Sequence, residues 1–163
     1  MTTTGYGTND EQKNKGRGNA DDADYAIRRM QPEDYGQAFA LWSATPGMHL
    51  HSLNNTYGGI ARLIAANPQT CLVATDGNDR IVATALGATD GRKGYLYHVA
   101  VDEKWRGRGI GTTLISRILD LFSAVGIEKV GILVVADNAE GQRFWAGHGW
   151  KTRPDVIYYD YDL

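Results

Sequence analysis

A glycine-rich run lies between two apolar segments in the second half of the chain. It spans Arg106–Gly111 (RGRGIG) and is followed by Thr112 and Thr113. A strand-like segment precedes the run, and apolar residues at helical spacing follow it from Leu114 to Phe122. The backbone N–H groups that open a helix have no partner inside it, and the positive end of the helix dipole lies beside them. The run therefore predicts a strand–turn–helix unit whose turn binds an anion, most simply a phosphate.

Two common phosphate-binding motifs do not fit this run. A P-loop ends in Gly-Lys-Ser/Thr, and the chain has no such triplet. The dinucleotide fingerprint Gly-x-Gly-x-x-Gly fails, because its last position, counted from Gly107, falls on Thr112. That fingerprint also belongs at the first strand–helix turn of a fold, whereas this run comes late. The phosphate ligand is therefore expected to bind in another mode.

Composition limits the class of protein. The chain has 163 residues, a net charge of −2 and 22% charged residues, which is typical of one globular domain with no general attraction to nucleic acid. Cys71 is the single cysteine and lies in an apolar strand-like segment, which favours a small core residue over a nucleophile. We find no apolar stretch of membrane-spanning length and no signal-peptide core. A cytoplasmic protein with neither nucleic acid nor membrane as partner is expected.

The order of predicted elements indicates the fold class. Residues 1–23 are polar without apolar periodicity, which predicts a disordered tail before a single domain at 24–163. The domain is predicted as β-α-α-β-β-β-α-β-α-β-β, an α/β fold with a mixed sheet flanked by helices. Its last elements are a strand at 129–135, a helix at about 139–147 and a closing hairpin whose final strand is 156–162.

The surroundings of the glycine-rich run carry a family resemblance. The strand-like segment Tyr95–Val101 ends in an apolar-x-Val step, and Asn138, Phe144-Trp145 and Gly149-Trp150 follow at later positions. This arrangement resembles the GNAT superfamily of acetyl-CoA-dependent N-acetyltransferases over roughly residues 25–163. The resemblance implies the acyl-CoA N-acyltransferase fold. The segment 89–98, with its Asp-Gly-Arg-Lys-Gly loop, is also similar to a bacterial branch of that family.

The resemblance implies acetyl-CoA as cosubstrate. Backbone N–H groups from Arg106 to Thr112 would bind its diphosphate, and the main chain of Val99 and Val101 would bind the pantetheine arm like an added strand. One N–H of that strand would polarise the thioester. Asn138 would contact the arm or a nearby water, cap the next helix, or do both. The predicted cofactor-binding residues are Val99, Ala100, Val101, Arg106, Gly107, Arg108, Gly109, Ile110, Gly111, Thr112, Asn138 and Trp145.

Trp145 departs from the family pattern. Many members have a tyrosine there, placed to protonate the departing thiolate of CoA. An indole N–H donates a hydrogen bond but no proton at accessible pH, so we interpret Trp145 as a packing residue that lines the pantetheine tunnel. Three tyrosines of the predicted last strand, Tyr158, Tyr159 and Tyr161, are candidate replacements, and the sequence does not choose among them. The predicted catalytic residues are Tyr95, Tyr97, Trp145 and Tyr159.

A general base is also not evident. Strand alternation predicts Tyr95, Tyr97 and Val99 on one face, with His98 on the other. Family members often have a Glu or His base at the position of Tyr95 or Tyr97. A tyrosine pKa near 10 is too high for this role, so both are expected to form the wall of the acceptor pocket and to order water. His98 is interpreted as a core histidine.

The acceptor is expected at the segment 45–55 between the first two helices and at the last hairpin. His49 and His51 form a base or ligand pair in one interpretation and are solvated loop residues in the favoured one, and no metal is predicted. Without a cysteine carrier, the acetyl group would pass directly to a primary amine of a small molecule, an amino-acid-like compound or a protein. The alternative is a non-catalytic acyl-CoA-binding regulatory module. A homodimer is possible, since many family members dimerise.

Overall fold

The computed structural model describes residues 24–163, so the predicted tail at 1–23 lies outside the described residues. The order of strands and helices agrees with the sequence prediction as far as the fourth helix. Short 3₁₀ turns at Pro32–Asp34, Leu50–Ser52 and Glu103–Trp105 lie between them. The elements are β1 (Tyr25–Arg29), α1 (Tyr35–Ser43), α2 (Tyr57–Ala66), β2 (Cys71–Asp76), β3 (Ile81–Thr89), β4 (Gly94–Val101), α3 (Ile110–Ala124), β5 (Val130–Ile132) and α4 (Ala139–Gly147).

The strands form one sheet in the order β1-β2-β3-β4-β5. The first four strands pair antiparallel, and β5 pairs parallel to β4. A parallel neighbour requires a crossover connection, which α3 supplies. The predicted α/β fold with a mixed sheet is therefore confirmed.

Helices cover the sheet on both faces. One apolar cluster joins α1 and α2 to the sheet, with Trp42 and Leu86 at its centre, and the other joins α3 to the sheet, with Leu114 and Phe122. Because both faces are covered, the middle strands carry continuous apolar runs rather than an alternating pattern. The first five residues of β2 and the first seven of β3 are buried.

Cys71 lies inside this core. Its side chain is fully buried, and Sγ lies 3.7 Å from the carbonyl oxygen of Gly87. Burial raises the pKa of the thiol to about 12. Cys71 therefore stays a protonated core residue at neutral pH, as the sequence predicts, and is no acyl carrier. Across residues 24–163, none of the helices has the length and apolar character needed to cross a bilayer.

A β-bulge interrupts β4 and changes the predicted alternation. Thr84 pairs with Ala100 and Leu86 with Tyr97, so that Ala85 lies opposite both His98 and Val99. His98 adopts a left-handed conformation with φ 49°. The extra residue shifts the side chains after it to the other face of the sheet.

The bulge separates residues that simple alternation predicts on one face. Tyr97 packs against the cluster beneath α1 and α2, and the ring of His98 stacks on Trp42 of that same cluster. Val99 packs instead against the cluster beneath α3. The prediction that Tyr97 and Val99 share a face, with His98 opposite, is therefore wrong.

The chain's C-terminal part also differs from the prediction. The strand expected at 129–135 is limited to Val130–Ile132, and no strand forms within residues 150–163, so the predicted closing hairpin is wrong. Apolar or aromatic side chains occupy successive positions from Val156 to Tyr159, so no single face of a strand is specified. Because β5 has only three residues, it also offers few main-chain hydrogen bonds to a further strand that would pair with it. Tyr159 is 84% exposed as a result.

Candidate active site

The N-terminus of α3 presents free backbone donors. Gly109 is its N-cap with φ 75° and no side-chain cap, and the first hydrogen bond of this turn runs from Thr113 N to Gly109 O at 2.9 Å. The N–H groups of the three residues before Thr113 therefore have no acceptor within the helix. Gly107 also has φ 75°, and a Cβ at either glycine would meet nothing within 4 Å. The left-handed turn requires glycine, and an anion has room to approach its backbone.

Protein partners hold the two arginine side chains of this turn. Arg106 donates through Nε to Val101 O at 3.3 Å and forms an ion pair with Glu140, Nη1 to Oε1, at 3.2 Å. The guanidinium of Arg108 lies 4.6 Å from the ring centroid of Trp105. The N–H groups at the start of α3 are open to a phosphate, and the predicted contacts of the Arg106 and Arg108 side chains with a ligand stay predictions.

The edge of β4 that faces away from β3 is only partly paired. The ladder between β4 and β5 ends with Leu96 opposite Ile132. From Tyr97 to Val101, β4 has no strand on this side among the described residues. An extended ligand with amide groups binds to such an edge through main-chain hydrogen bonds, as an added strand does. This open edge continues directly into the turn that precedes α3.

Three side chains and one carbonyl form a buried polar arrangement at the bulge. Trp42 Nε1 donates to Thr84 Oγ1 at 2.9 Å, and Thr84 Oγ1 donates to the carbonyl oxygen of His98 at 2.6 Å. The rings of Trp42 and His98 stack with centroids 4.3 Å apart. Sequence reasoning did not find this arrangement. The signal for it in the sequence was Thr84, a threonine among the buried apolar residues at 81–87 of β3.

His98 is a core histidine with an unusual environment. Burial lowers the pKa of its imidazole from 6.5 to about 4. Its Nδ1 is buried and has no hydrogen-bond partner within residues 24–163. Because protonation is disfavoured, His98 is a weak base at neutral pH. The interpretation of His98 as a core residue rather than the catalytic base is therefore supported.

Tyrosines line the start of the open edge. The rings of Tyr95 and Tyr97 lie 6.4 Å apart, and Tyr95 is 36% exposed. Burial, followed by the neighbouring phenols of Tyr95 and Tyr158, raises the pKa of Tyr97. Tyr97 therefore stays protonated at neutral pH, and its hydroxyl is able to donate a hydrogen bond. Of the C-terminal tyrosines, Tyr158 contributes to this shift, and the predicted catalytic role of Tyr159 stays a prediction.

Trp145 is a packing residue in the described structure. It is 8% exposed and belongs to the apolar cluster beneath α3. Its ring contacts Phe144 and Trp150 edge to face, with centroids 5.1 and 4.8 Å away. This agrees with the packing interpretation, in which Trp145 does not act as the proton donor.

Asn138 is the N-cap of α4. Its Oδ1 accepts a hydrogen bond from Gly141 N at 2.8 Å, as the capping interpretation predicts. A Cβ at Gly47 would lie 2.5 Å from Asn138 Nδ2, so the segment after α1 packs directly on this cap. The predicted contact of Asn138 with a ligand stays a prediction.

The same segment brings its histidines to the edge of the site. The rings of His49 and His51 lie 5.5 Å apart, and His49 Nε2 is 4.0 Å from Asp137 Oδ1. Both side chains are exposed, in agreement with solvated loop residues. Across residues 24–163, no group of three His, Cys, Asp or Glu side chains is placed to hold a metal ion.

The two open features suit different parts of one ligand. The N-terminus of α3 suits a diphosphate, and the unpaired edge of β4 suits an extended arm with amide groups. Gly107 and Gly109 leave the approach to the turn open. Acetyl-CoA, with its diphosphate and pantetheine arm, therefore fits the residues that are present.

Comparison with known proteins finds acetyltransferases. The model of the acetyltransferase (GNAT) family matches residues 31–150. An acetyltransferase of Yersinia pestis (strain Pestoides F) is 34% identical over 112 residues, which cover 69% of this chain and 77% of that protein.

Solved structures share the fold. Ard1 from Thermoplasma volcanium superposes with a TM-score of 0.68 at 23% identity, covering 78% of this chain and 82% of Ard1. An aminoglycoside acetyltransferase from an uncultured soil metagenomic sample gives a TM-score of 0.67 at 22% identity, covering 87% of this chain and 98% of that protein. Since the family model matches most of the chain and the bacterial relative is similar in sequence, the chain belongs to the acetyltransferase (GNAT) family and is an acetyl-transferring enzyme.

Proposed function

We propose that this enzyme takes the acetyl group from acetyl-CoA and transfers it directly to a primary amine. The observation that carries the proposal is the unpaired edge of β4 from Tyr97 to Val101, which leads into the open N-terminus of α3. The two features lie in the order in which a diphosphate and a pantetheine arm follow each other. This continuity supports one ligand across both.

Main-chain groups would hold the cosubstrate. N–H groups of the turn and first helical residues, Arg106–Thr112, would bind the diphosphate. Val99 and Val101 would hydrogen-bond the arm, while Ala100 between them pairs with Thr84 and keeps the strand on the sheet. An N–H of β4 would polarise the thioester carbonyl.

The amine would attack the thioester carbon without an acyl-enzyme intermediate. The C–N bond forms, the C–S bond breaks, CoA leaves as thiolate, and the amine proton passes to water. The deeply buried thiol of Cys71, whose pKa is raised to about 12, supports direct transfer. Tyr95 and Tyr97 would form a wall of the amine pocket and order the water that takes the proton.

The proposed reaction does not need a dedicated general base. A base is dispensable where the amine binds in its neutral form, and a thiol pKa of about 8.5 makes CoA a fair leaving group. Tyr97, whose raised pKa keeps it protonated, would donate a hydrogen bond to the amine or its water. Trp145 would take no part in proton transfer, because an indole N–H gives up no proton at accessible pH.

The acceptor is proposed as an amine of a small molecule, an amino-acid-like compound or a protein. Among proteins with this fold, one is an aminoglycoside acetyltransferase. The segment between α1 and α2, which packs on Asn138, would close the acceptor side of the pocket. A non-catalytic acyl-CoA-binding module is not favoured, because the similar proteins are acetyltransferases.

Three further points stay predictions. The turn at Asp90, whose Oδ1 accepts from Arg92 N at 2.9 Å and Lys93 N at 3.1 Å, supports the proposed bacterial branch with an Asp-Gly-Arg-Lys-Gly loop. A cytoplasmic location and a homodimer are proposed from the sequence and the family alone.

Two measurements test the proposal. Calorimetry should show micromolar binding of acetyl-CoA and none of NAD, which has a diphosphate but no pantetheine arm. Release of free CoA thiol should then depend on one member of a panel of amines. Folded protein that does not bind acetyl-CoA would overturn the cosubstrate assignment, and binding without amine-dependent thiol release across a broad panel would count against transfer to amines.

A further inference from the structure

The polar arrangement at the bulge is buried and directional. Trp42 and Thr84 are both fully buried, on α1 and β3. The hydroxyl of Thr84 has one proton, which it donates to His98 O at 2.6 Å, and it accepts the indole N–H of Trp42 at 2.9 Å. The indole therefore fixes the rotation of the hydroxyl, and the hydroxyl in turn holds one peptide carbonyl.

That carbonyl determines where the next N–H points. The described chain has no cis peptide bond, and in a planar trans peptide C=O and N–H point in opposite directions. Since the carbonyl of His98 is directed at Thr84 on β3, the N–H of Val99 is directed away from β3. The side of β4 away from β3 is the edge that has no strand partner after Leu96.

The backbone at this point needs support. His98 has φ 49°, a left-handed conformation that is strained for a residue with a Cβ. Other peptides of the β4 ladder are held by strand pairing, but a bulge leaves its extra residue unpaired. The hydroxyl of Thr84 supplies a hydrogen bond in place of the missing ladder contact. Without it, the peptide between His98 and Val99 is free to rotate.

We propose that Thr84, oriented by Trp42, is a positioning residue that aims the N–H of Val99 at the thioester carbonyl oxygen of acetyl-CoA. The inference rests on the proposed function, which places the thioester at this edge. A preorganised donor stabilises the negative charge that develops on this oxygen when the amine attacks. The side chain of Thr84 acts through the backbone and does not touch the reacting atoms.

The chain offers a matched control at the other end of β3. Thr70 is also buried and donates its hydroxyl to a strand carbonyl, Gly87 O, at 2.8 Å. Thr70→Val removes the same kind of hydrogen bond as Thr84→Val but leaves the bulge intact. Thr84→Ser retains the hydroxyl, and Trp42→Phe removes the indole donor while it keeps an aromatic ring against His98.

The experiment measures the polarisation of the thioester carbonyl directly and needs no acceptor amine. Infrared difference spectra of acetyl-CoA labelled with ¹³C at the carbonyl should show a lowered C=O frequency in the wild-type complex. Thr84→Val should lose most of this shift, Thr84→Ser and Thr70→Val should retain it, and Trp42→Phe should fall between. Binding of CoA, which has no thioester carbonyl, should stay within about threefold in all variants. With an acceptor, kcat of Thr84→Val should fall about 10- to 100-fold while KM for acetyl-CoA changes little.

The outcomes separate the two levels of inference. An unchanged carbonyl shift in Thr84→Val, with binding intact, would overturn the positioning role and leave the proposed function in place. No binding of acetyl-CoA by the wild type would overturn both. If Thr84→Val does not fold because the indole N–H of Trp42 loses its acceptor, the double variant Trp42→Phe/Thr84→Val removes both partners and gives the same prediction.

Discussion

Arg106 and Glu140 form an ion pair between two helix N-termini, with Arg106 Nη1 3.2 Å from Glu140 Oε1. Arg106 precedes α3, and Glu140 lies in the first turn of α4. The same arginine donates to Val101 O at the end of β4. The pair therefore ties together the three elements around the open edge and positions the donors of α3 relative to β4.

Gly109→Glu should abolish high-affinity binding of acetyl-CoA. The new carboxylate would stand at the N-terminus of α3, where it repels the diphosphate, and affinity should fall at least tenfold. Gly126→Glu is the matched control, since Gly126 has φ 83° beyond the other end of α3 and its added Cβ also meets nothing within 4 Å. Both variants introduce similar backbone strain, so equal losses of affinity in calorimetry would contradict a diphosphate site at Gly109.

His98 should make the protein less stable in mild acid. Its pKa of about 4 in the folded protein lies below the value of 6.5 in the unfolded chain, because burial disfavours the charged form. The unfolded state thus binds the proton first, so the free energy of unfolding should fall as pH decreases from about 6.5 to 4. The loss should reach about 3 kcal/mol, from 2.5 pKa units at 1.36 kcal/mol each.

Denaturant unfolding at several pH values tests this contribution. His98→Asn, a residue that tolerates a left-handed conformation, should flatten the slope between pH 6.5 and 4 even though it lowers stability at neutral pH. His51→Asn, the same substitution at an exposed loop histidine, is the matched control. A wild-type slope that persists in His98→Asn would show that another group titrates there.

The bidentate ion pair of Arg28 and Asp34 should stabilise the start of α1. Its two N–O distances are 2.7 and 2.9 Å, and Asp34 also accepts Gln31 N at 2.8 Å. Burial opposes ionisation of Asp34, but these hydrogen bonds outweigh it and lower the pKa of the carboxyl group. Asp34→Asn should lower the free energy of unfolding by about 1–2 kcal/mol, a range reduced to allow for the partial exposure of Arg28.

The pH dependence gives this pair a second signature. Because the folded pKa of Asp34 is depressed, its contribution is present above the unfolded value of about 3.9 and is lost as pH falls through the folded pKa. Asp34→Asn should remove this part of the acid transition. Asp155→Asn is the surface control: the hydrogen bonds from Arg153 lower the pKa of Asp155 to about 2, but both side chains are exposed, so solvent screening should leave a much smaller change in stability than Asp34→Asn gives.

Tyr97→Phe should have a small effect on the chemical step. If the phenol orders water and the amine, its loss should raise KM for the amine and lower kcat less than about tenfold, with acetyl-CoA affinity unchanged. Tyr57→Phe is the control, since Tyr57 is an exposed tyrosine of α2 outside the proposed pocket wall. A decrease of 100-fold or more in kcat for Tyr97→Phe, with loss of the alkaline limb of the pH–rate profile, would identify Tyr97 as a general acid instead.

Local patterns predicted the parts of the fold that depend on local physics. The turn before α3 could be placed from sequence, because left-handed glycines and helical periodicity are written into neighbouring residues. The capping role of Asn138 was predictable for the same reason. Because an indole does not supply a proton, the sequence argued against a proton-donor role for Trp145 and favoured a packing role.

Non-local contacts account for what the sequence did not predict. The bulge at His98 depends on hydroxyl and indole groups that come from β3 and α1, 14 and 56 positions away in the chain, so strict alternation assigned Tyr97 and Val99 to the same face. The closing hairpin was predicted from the local sequence and from the order of elements that the family resemblance implies. Propensity describes fit to a sheet that already exists, and the three residues of β5 provide little ladder for residues 156–162.

Recognition through the backbone also has an evolutionary consequence. The donors and acceptors along Tyr97–Val101 belong to the main chain, so a substitution that leaves the backbone of β4 and its bulge unchanged preserves them. Side chains of the same strand, such as Tyr95 and Tyr97, are free to diverge without loss of the acyl donor. Chains of this kind should therefore change their acceptor over time more readily than their cosubstrate, and a saturation mutagenesis screen should find Val99 and Val101 tolerant where Gly107 and Gly109 are not.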